Sequence, residues 1–583
     1  MKVGFLRRFS AMLVIVLAVS AVYTDQYAQR LAAAEKGKSN TAERQREEAA
    51  AEGAGEPIPV REVTQRVLQS QIREAQRPVQ DIQKQMREAQ WLLEDVQKQK
   101  ETYTVAELDG GTSLFSNQVD GYAIQIPGGM EADMRYSNIR AVLENESLRI
   151  EIYRQEIKDT TGSGINSYIN YSNRFIDNDA DHDKELEGKL KIRDWTASFL
   201  QWSRRALAKV ENDKRHYASV EVPLSEREVI TFLFKSSQPF VNKSYLDVVR
   251  SLTLADKTAQ PYVRRIRQTE HPGWDEKTAG VYGKYFGEDA PLRWGIFEAV
   301  APVDFTELKK IEAKLDFTFP ILLYYTGILE NRDMHPGLAA ALANAKQEGR
   351  ILELTLQTAG QSPEKGNMVY DVLDGAYDPY LKNYAKAVAD SGEPVLFRLG
   401  NEMNGDWCPY SSHHTSKDTE IFKAFYRYVH QIFQDAGADN VIWVWNPNGR
   451  SFPDFKWNDE LCYYPGDEYV DVVGMTAYNT GTYYPDETWR SFSELYDPLY
   501  ERYTALCEKP LMITEFSSSS VGGSKEGWVS DMFRDIVEYK RIKAAVWWDG
   551  CDRDAEGNPA RPYYIDETEE LVRLFRENLA HYK

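Results

Sequence analysis

Short apolar runs separated by amphipathic stretches recur eight times between residues 290 and 583. The runs are Trp294–Ala299, Ile321–Thr326, Ile351–Gln357, Val395–Gly400, Val441–Trp445, Val470–Ala477, Leu511–Phe516 and Ala544–Trp548. Each is nearly continuous in aliphatic and aromatic residues, as parallel strands buried on both faces are. Stretches such as Phe305–Leu315, Gly337–Glu348, Tyr380–Ala389, Thr419–Gln434, Phe492–Cys507 and Trp528–Tyr539 lie between them and read as crossover helices. Eight such units predict a (β/α)8 TIM barrel over 290–583. The fifth link, Pro447 to Tyr469, lacks a helical pattern and is the weakest unit. A doubly wound open sheet competes, but no glycine-rich phosphate loop follows any strand.

Upstream the pattern differs. Residues 106–260 alternate with period two in Tyr122–Ile126, Leu148–Tyr153, His216–Val222 and Val229–Phe234, with helical stretches at Ser167–Phe175 and Tyr245–Leu252. They predict a small α+β accessory domain, either a carbohydrate-contacting module or a rigid spacer. Residues 261–289, with Pro261, Pro272 and Gly273, read as a linker. Residues 26–105 read as a helical stalk. Within it, Leu68, Ile72, Ala75, Val79, Ile82, Met86, Ala89, Leu93 and Val96 step by four and three, a heptad seam interrupted by Pro78. A coiled coil that self-associates through 64–100 and a lone amphipathic helix both fit that pattern. Residues 1–25 carry Lys2, Arg7 and Arg8 before the uncharged run Ala11–Tyr23, the pattern of a signal peptide or signal anchor. Both readings place the remainder in a secreted or extracellular-face location, the second with a membrane attachment through the N-terminus. The fold class expected is therefore α/β: a C-terminal TIM barrel preceded by a helical stalk and a small α+β domain.

Charge and composition narrow the partners. Asp and Glu number 90 against 70 Lys and Arg, a net charge of −20, which argues against nucleic acid. The 8 histidines show no zinc-ligand spacing, and Asp177, Asp179, Asp181 and Asp183 lack the Gly and Glu that a calcium loop requires. No metal and no cofactor are expected, and the acidic run reads as a solvated loop. All four cysteines (Cys408, Cys462, Cys507, Cys551) fall in the barrel, where an exported protein has room for one or two disulfides of open pairing.

In a TIM barrel the chemistry sits at the C-terminal ends of the strands. Glu402 follows the fourth run and Glu515 ends the seventh. A carboxylate next to an apolar strand is costly unless something holds it. Two of them facing across a barrel mouth are what hydrolysis of a glycosidic bond requires. Asn401 and Trp407 flank Glu402; Tyr478 ends the sixth run; Trp547 and Trp548 end the eighth; Trp445 ends the fifth. All are candidate substrate-binding residues, since sugar faces stack on aromatic rings. For Trp443, Trp445 and one of Trp547 and Trp548, barrel-core packing is an equal alternative. Arg398 shares the strand parity of Glu402 and either positions a carboxylate or plugs the barrel.

The run Phe397-Arg-Leu-Gly-Asn-Glu-Met-Asn-Gly-Asp-Trp407, with Ile513-Thr-Glu-Phe-Ser517 downstream, resembles glycoside hydrolase family 26. Gly375–Tyr380 and Asn440–Asn448 resemble further segments of that family. The resemblance covers 290–583 and implies a retaining endo-β-glycanase acting on β-linked polysaccharide, of the β-mannan or mixed-linkage β-glucan class. It implies Glu402 as acid/base, Glu515 as nucleophile, Tyr478 as hydrogen-bond donor to the nucleophile, and Trp407 and Trp548 beside the cleaved bond. The family's mannanases commonly carry His before the acid/base; here Asn401 stands, which leaves both sugars open. The other function class is a non-catalytic cell-surface polysaccharide-binding or assembly protein, which has no need of both glutamates.

Overall fold

The computed structural model describes residues 86–583 except 88, 158–163, 270–272 and 359–364. The expected signal segment and the heptad positions before Met86 lie outside the described residues. Residues 92–100 are helical, and Leu93 and Val96 of the heptad seam are exposed there.

Accessory-domain strands form two antiparallel sheets. The first orders β1 (Tyr103–Leu108), β2 (Thr112–Asn117) and β3 (Tyr122–Pro127), with β11 (Thr253–Leu254) at the edge. The second orders β4 (Glu131–Asp133), β5 (Ala141–Glu144), β6 (Leu148–Glu156), β10 (Glu228–Ser236), β9 (His216–Pro223), β8 (Trp195–Arg204) and β7 (His182–Ile192). The expected solvated acidic loop leads instead into the long β7–β8 hairpin, and Asp181 is buried, accepting from the Asn367 backbone N–H at 2.6 Å. The hairpin escaped sequence reading because β7 is mostly charged and exposed, so it lacks the apolar alternation of a core strand.

The barrel is closed and parallel throughout: β12 (Arg293–Phe297), β13 (Ile321–Ile328), β14 (Ile351–Thr358), β15 (Val395–Leu399), β16 (Val441–Trp445), β17 (Val472–Thr476), β18 (Leu511–Phe516) and β19 (Ile542–Trp548). Helices follow each strand except β16, where three short 3-10 turns between Lys456 and Tyr469 make the crossover, as the missing helical pattern predicts. Strand parity sorts the side chains into two shells. Leu323, Leu396, Ile442, Val444, Val472, Met512, Ala544 and Val546 fill the inside. Leu322, Phe397, Trp443, Trp445, Ile513 and Trp547 face the helices. This alternation decides which aromatic residues can reach the mouth.

The described parts of residues 261–289, expected as a linker, are built into the fold. Glu276–Phe286 is a helix whose Asp275 cap accepts from Thr278 N. Trp274, Val281, Tyr282, Tyr285 and Phe286 pack against the inner-shell residues of the barrel. Trp274 Nε1 donates to the Val441 carbonyl at 2.7 Å. Ile266 is fully buried and hydrogen-bonds with Leu506 and Glu508.

The accessory domain is likewise no separate bead, for residues 92–583 form one compact unit. The segment after Glu402 is gripped by it. Lys417 Nζ reaches Glu221 at 3.1 Å, Ser219 at 2.9 Å and Asn173 at 2.8 Å. Asp418 caps the helix Thr419–Asp435 through Glu420 N, and also accepts from Lys235 Nζ at 2.6 Å and Tyr217 Oη at 2.9 Å. Lys235 turns to Glu151 at 2.7 Å, and Glu151 takes Arg140 at 2.9 Å and Arg149 at 2.6 Å. These charges tolerate burial because each has partners on several sides.

Candidate active site

The inward positions of β14, β15 and β16 stack a polar layer across the top of the barrel. Arg398 on β15 is fully buried. Its Nε donates to Thr355 Oγ1 at 2.8 Å, and one terminal nitrogen reaches Asn446 Oδ1 at 3.0 Å and Glu515 Oε2 at 2.7 Å. Arg398 thus positions a carboxylate rather than serving as inert filling. Glu353, below it on β14, lies 3.3 Å from the Arg398 Nε. Burial and the neighbouring Glu515 charge push the Glu353 carboxyl up to about 8, so it carries a proton at neutral pH.

Glu515 is the penultimate residue of β18, at a register slip between Ile513 and Phe516, where Thr476 pairs with Glu515 rather than with Thr514. The extra residue lets Thr514 meet Thr476 Oγ1 at 3.1 Å while Phe516 returns to the outer shell. Three donors hold the Glu515 carboxylate: Arg398, the Tyr325 hydroxyl on Oε2, and the Tyr478 hydroxyl on Oε1 at 3.3 Å. These contacts fix the direction in which the carboxylate points, as a nucleophile requires.

Glu402 sits three residues beyond β15. Gly400 takes φ +57°, and a Cβ there would meet the Phe422 ring at 2.8 Å, so only glycine fits the turn. Glu402 itself has φ +55°, a strained backbone for a non-glycine residue that is more often found at functional sites. Its N–H donates to the Asn446 carbonyl at 2.7 Å, which ties it to the end of β16. Its carboxyl takes the Asn448 amide on Oε1 and the Trp407 indole N–H on Oε2 at 3.3 Å. Burial, then the Glu515 charge, raise the Glu402 carboxyl to about 7. One glutamate is therefore paired with Arg398 and the other is poised to keep its proton near neutrality, an inequality of the kind that an acid and a nucleophile need.

Of the other expected residues, Asn401 is buried beside the pair. Its Oδ1 accepts from Gln357 Nε2 at 2.7 Å and from Tyr410 at 3.3 Å, which leaves its Nδ2 as the donor to offer. Trp407 is 50 % exposed and packs against Phe452 at 5.3 Å between ring centroids. Trp548 lies on the inner parity, stacked on Phe297 at 5.1 Å and edge-on to Tyr478 at 6.3 Å. Trp547 and Trp445 do not join them. Both are 0 % exposed on the outer parity, Trp547 among Phe516, Trp528 and Phe575, and Trp445 against Tyr464. Their sequence neighbourhood suggested the mouth, but alternation along a strand turns each toward the helices.

Tyr325, Asn448 and Glu353 were missed. Tyr325 shares parity with Leu323 within β13, and Glu353 is an isolated charge inside an apolar strand; both were visible signals. Asn448 lies in an irregular loop, and its one signal was that it ends the segment Asn440–Asn448 that resembles the family. The four cysteines are free thiols, so no disulfide forms. Among the described residues no His, Cys, Asp and Glu cluster could hold a metal ion, and no helix is long and apolar enough to cross a membrane.

Residues 358–514, from the end of β14 to Thr514 just before Glu515 on β18, match the model of glycosyl hydrolase family 26. Endoglucanase H of Acetivibrio thermocellus is 30 % identical over 233 residues, 39 % of this chain and 24 % of that protein. A mannan endo-1,4-beta-mannosidase of Bacillus subtilis strain 168 is 34 % identical over 227 residues, 34 % of this chain and 58 % of that protein. The chain thus spans less than two thirds of the length of either relative. The solved Bacillus subtilis mannanase man26 is 22 % identical, with 49 % of this chain and 89 % of that chain covered at a TM-score of 0.37.

Proposed function

From the match of residues 358–514 to glycosyl hydrolase family 26 and the paired glutamates, we infer that the barrel is a family 26 retaining endo-β-glycanase acting on β-mannan or mixed-linkage β-glucan. The observation that carries the reading is the unequal pair of glutamates. Glu515 is held by Arg398, Tyr325 and Tyr478, whereas Glu402 is raised to about 7 in the field of Glu515. In the first step Glu515 attacks the anomeric carbon while Glu402 passes its proton to the departing oxygen. Forming the glycosyl ester removes the Glu515 charge, so the Glu402 pKa falls. Glu402 then accepts a proton from the water that hydrolyses the ester. Trp407 and Trp548 offer faces to the sugars on either side, and the Asn401 Nδ2 offers a donor for a ring hydroxyl.

The test is release of reducing ends from β-mannan, mixed-linkage β-glucan and β-xylan, with product sizing and the product anomer read by proton NMR. The reading expects net retention on one of the first two, and loss of turnover in Glu402→Ala and Glu515→Ala. Full activity in both variants overturns it. Binding of a polysaccharide without turnover would favour a non-catalytic surface protein instead. The basic, apolar pattern of residues 1–25 supports export, with cleavage or anchoring distinguished by the mature N-terminus in cell fractions. The heptad spacing supports self-association through 64–100; light scattering of the chain with and without residues 1–101 tests it, an unchanged mass refuting it.

A further inference from the structure

Trp407 is the donor that marks the Glu402 side of the site, yet it is half exposed and its own ring contacts are few. What fixes it is the backbone on either side. Cys408 N donates to the Gly405 carbonyl at 3.1 Å, and Gly405 lies so close under the indole that a Cβ there would meet it at 2.5 Å. The remaining handle is Asp406. Its carboxylate accepts from the hydroxyl of Tyr171, a residue of the accessory domain 235 positions earlier. Its carbonyl lies 2.5 Å from His414 Nε2. Tyr171 is itself wedged: its ring meets His413 at 4.8 Å and Phe455 at 6.3 Å, and the Arg174 guanidinium lies 5.6 Å over it. The helix Ile165–Ser172 that carries Tyr171 is pinned to the barrel through Ser172 Oγ, which accepts from Trp457 Nε1 at 3.1 Å.

We propose that Tyr171 of the accessory domain is a positioning residue for the acid/base, acting through Asp406 and Trp407 on Glu402. The inference rests on the hydrolytic reading above. In that arrangement the α+β domain is neither spacer nor binding module alone. It supplies the outer support for the indole that shields Glu402 and donates to it. Without the Tyr171 hydroxyl, Asp406 loses its anchor, Trp407 is free to swing into solvent, and Glu402 loses both a donor and part of its cover. Proton donation to the leaving oxygen then suffers, while attack by Glu515 does not.

Leaving-group dependence separates this role from a general structural one. Two substrates of the sugar that the wild type cleaves are compared: an unactivated oligosaccharide, and a 2,4-dinitrophenyl glycoside whose departure needs no proton. For Tyr171→Phe, kcat/KM on the oligosaccharide is expected to fall on the order of 10-fold, short of the roughly 10²–10⁴ that general acid catalysis contributes. On the dinitrophenyl substrate it should stay within about twofold, as that step does not use the acid. Asp406→Ala should repeat the pattern, Asp406→Asn should largely restore it, and the Tyr171→Phe/Asp406→Ala double variant should be no worse than either single. Equal loss on both substrates, or no loss on either, overturns the proposal. A wild-type enzyme inactive on every β-glycan tested would instead sink the hydrolytic reading, before any variant is compared.

Discussion

Two clusters of buried charge stand in this molecule, and their stoichiometry sets them apart. At the interface between the accessory domain and the barrel, Lys235, Arg140, Arg149, Lys423 and Lys214 face Glu151, Asp418, Glu420 and Glu144. Every carboxylate has a cation of its own, and the carboxyls of Glu151 and Glu420 are held far below the usual range by their guanidinium and ammonium neighbours. At the barrel mouth one guanidinium, Arg398, faces three carboxyls, those of Glu353, Glu402 and Glu515. It pairs most closely with Glu515, so desolvation drives protons onto the other two. Balanced charge makes glue, and unbalanced charge makes proton chemistry.

The largest effect should come from breaking the unbalanced cluster. Glu515→Ala removes the proposed nucleophile, and kcat/KM on polysaccharide should fall on the order of 10⁴-fold or more, with a loss of thermal stability as well, because the buried Arg398 guanidinium is left without its closest partner. A stopped assay on purified enzyme with matched melting curves checks it. Next, Lys235→Met strips one cation from the balanced cluster and strands Glu151 and Asp418. Stability should drop by roughly 3–5 kcal/mol, as for other broken buried pairs, measured by denaturant unfolding. A loss below about 1 kcal/mol would show that this cluster is no more than a surface network.

Smaller effects sharpen the contrast. The rate should decline as pH rises through about 7, where Glu402 loses its proton. The Asn448 amide stabilises the charged form of Glu402, so Asn448→Ala should move that alkaline limb upward, with a several-fold loss in kcat/KM. A pH–rate profile of the two proteins decides it. Last, Glu353 binds a proton in the folded chain at pH values where the unfolded chain has released it. Its contribution therefore favours folding at low pH and is lost as pH rises from about 4.5 through about 8. Glu353→Gln should flatten that part of the melting-temperature profile and change kcat/KM least of the four. A charged Glu353 would instead make this variant markedly destabilising.

Much of this was readable from the order of residues. Eight strands were legible because a parallel strand covered on both faces must be apolar along its length, and β16 and β18 match their expected bounds residue for residue. Glu402 and Glu515 were legible because a carboxyl adjoining such a run has no cheap structural explanation. The β7–β8 hairpin was not, since its outer strand shows solvent a row of charges. The packing of residues 261–289 against the barrel was not either, because proline and glycine punctuate docked segments as they do free linkers.

What the sequence determined by itself is local and periodic: strand, helix, and which short runs end in a carboxyl. The tertiary structure decided everything that depends on direction and on distant partners. It turned Trp548 inward and Trp547 outward one residue apart, because closing the barrel fixes parity. It set Glu353 and Glu402 to hold protons and Glu515 to pair with Arg398, because what a carboxyl does depends on neighbours drawn from β13, β14, β15 and β18 and the loops after β16 and β17. It also brought Tyr171 to Asp406 across 235 residues of chain, a pairing without periodicity and hence without any trace in the sequence.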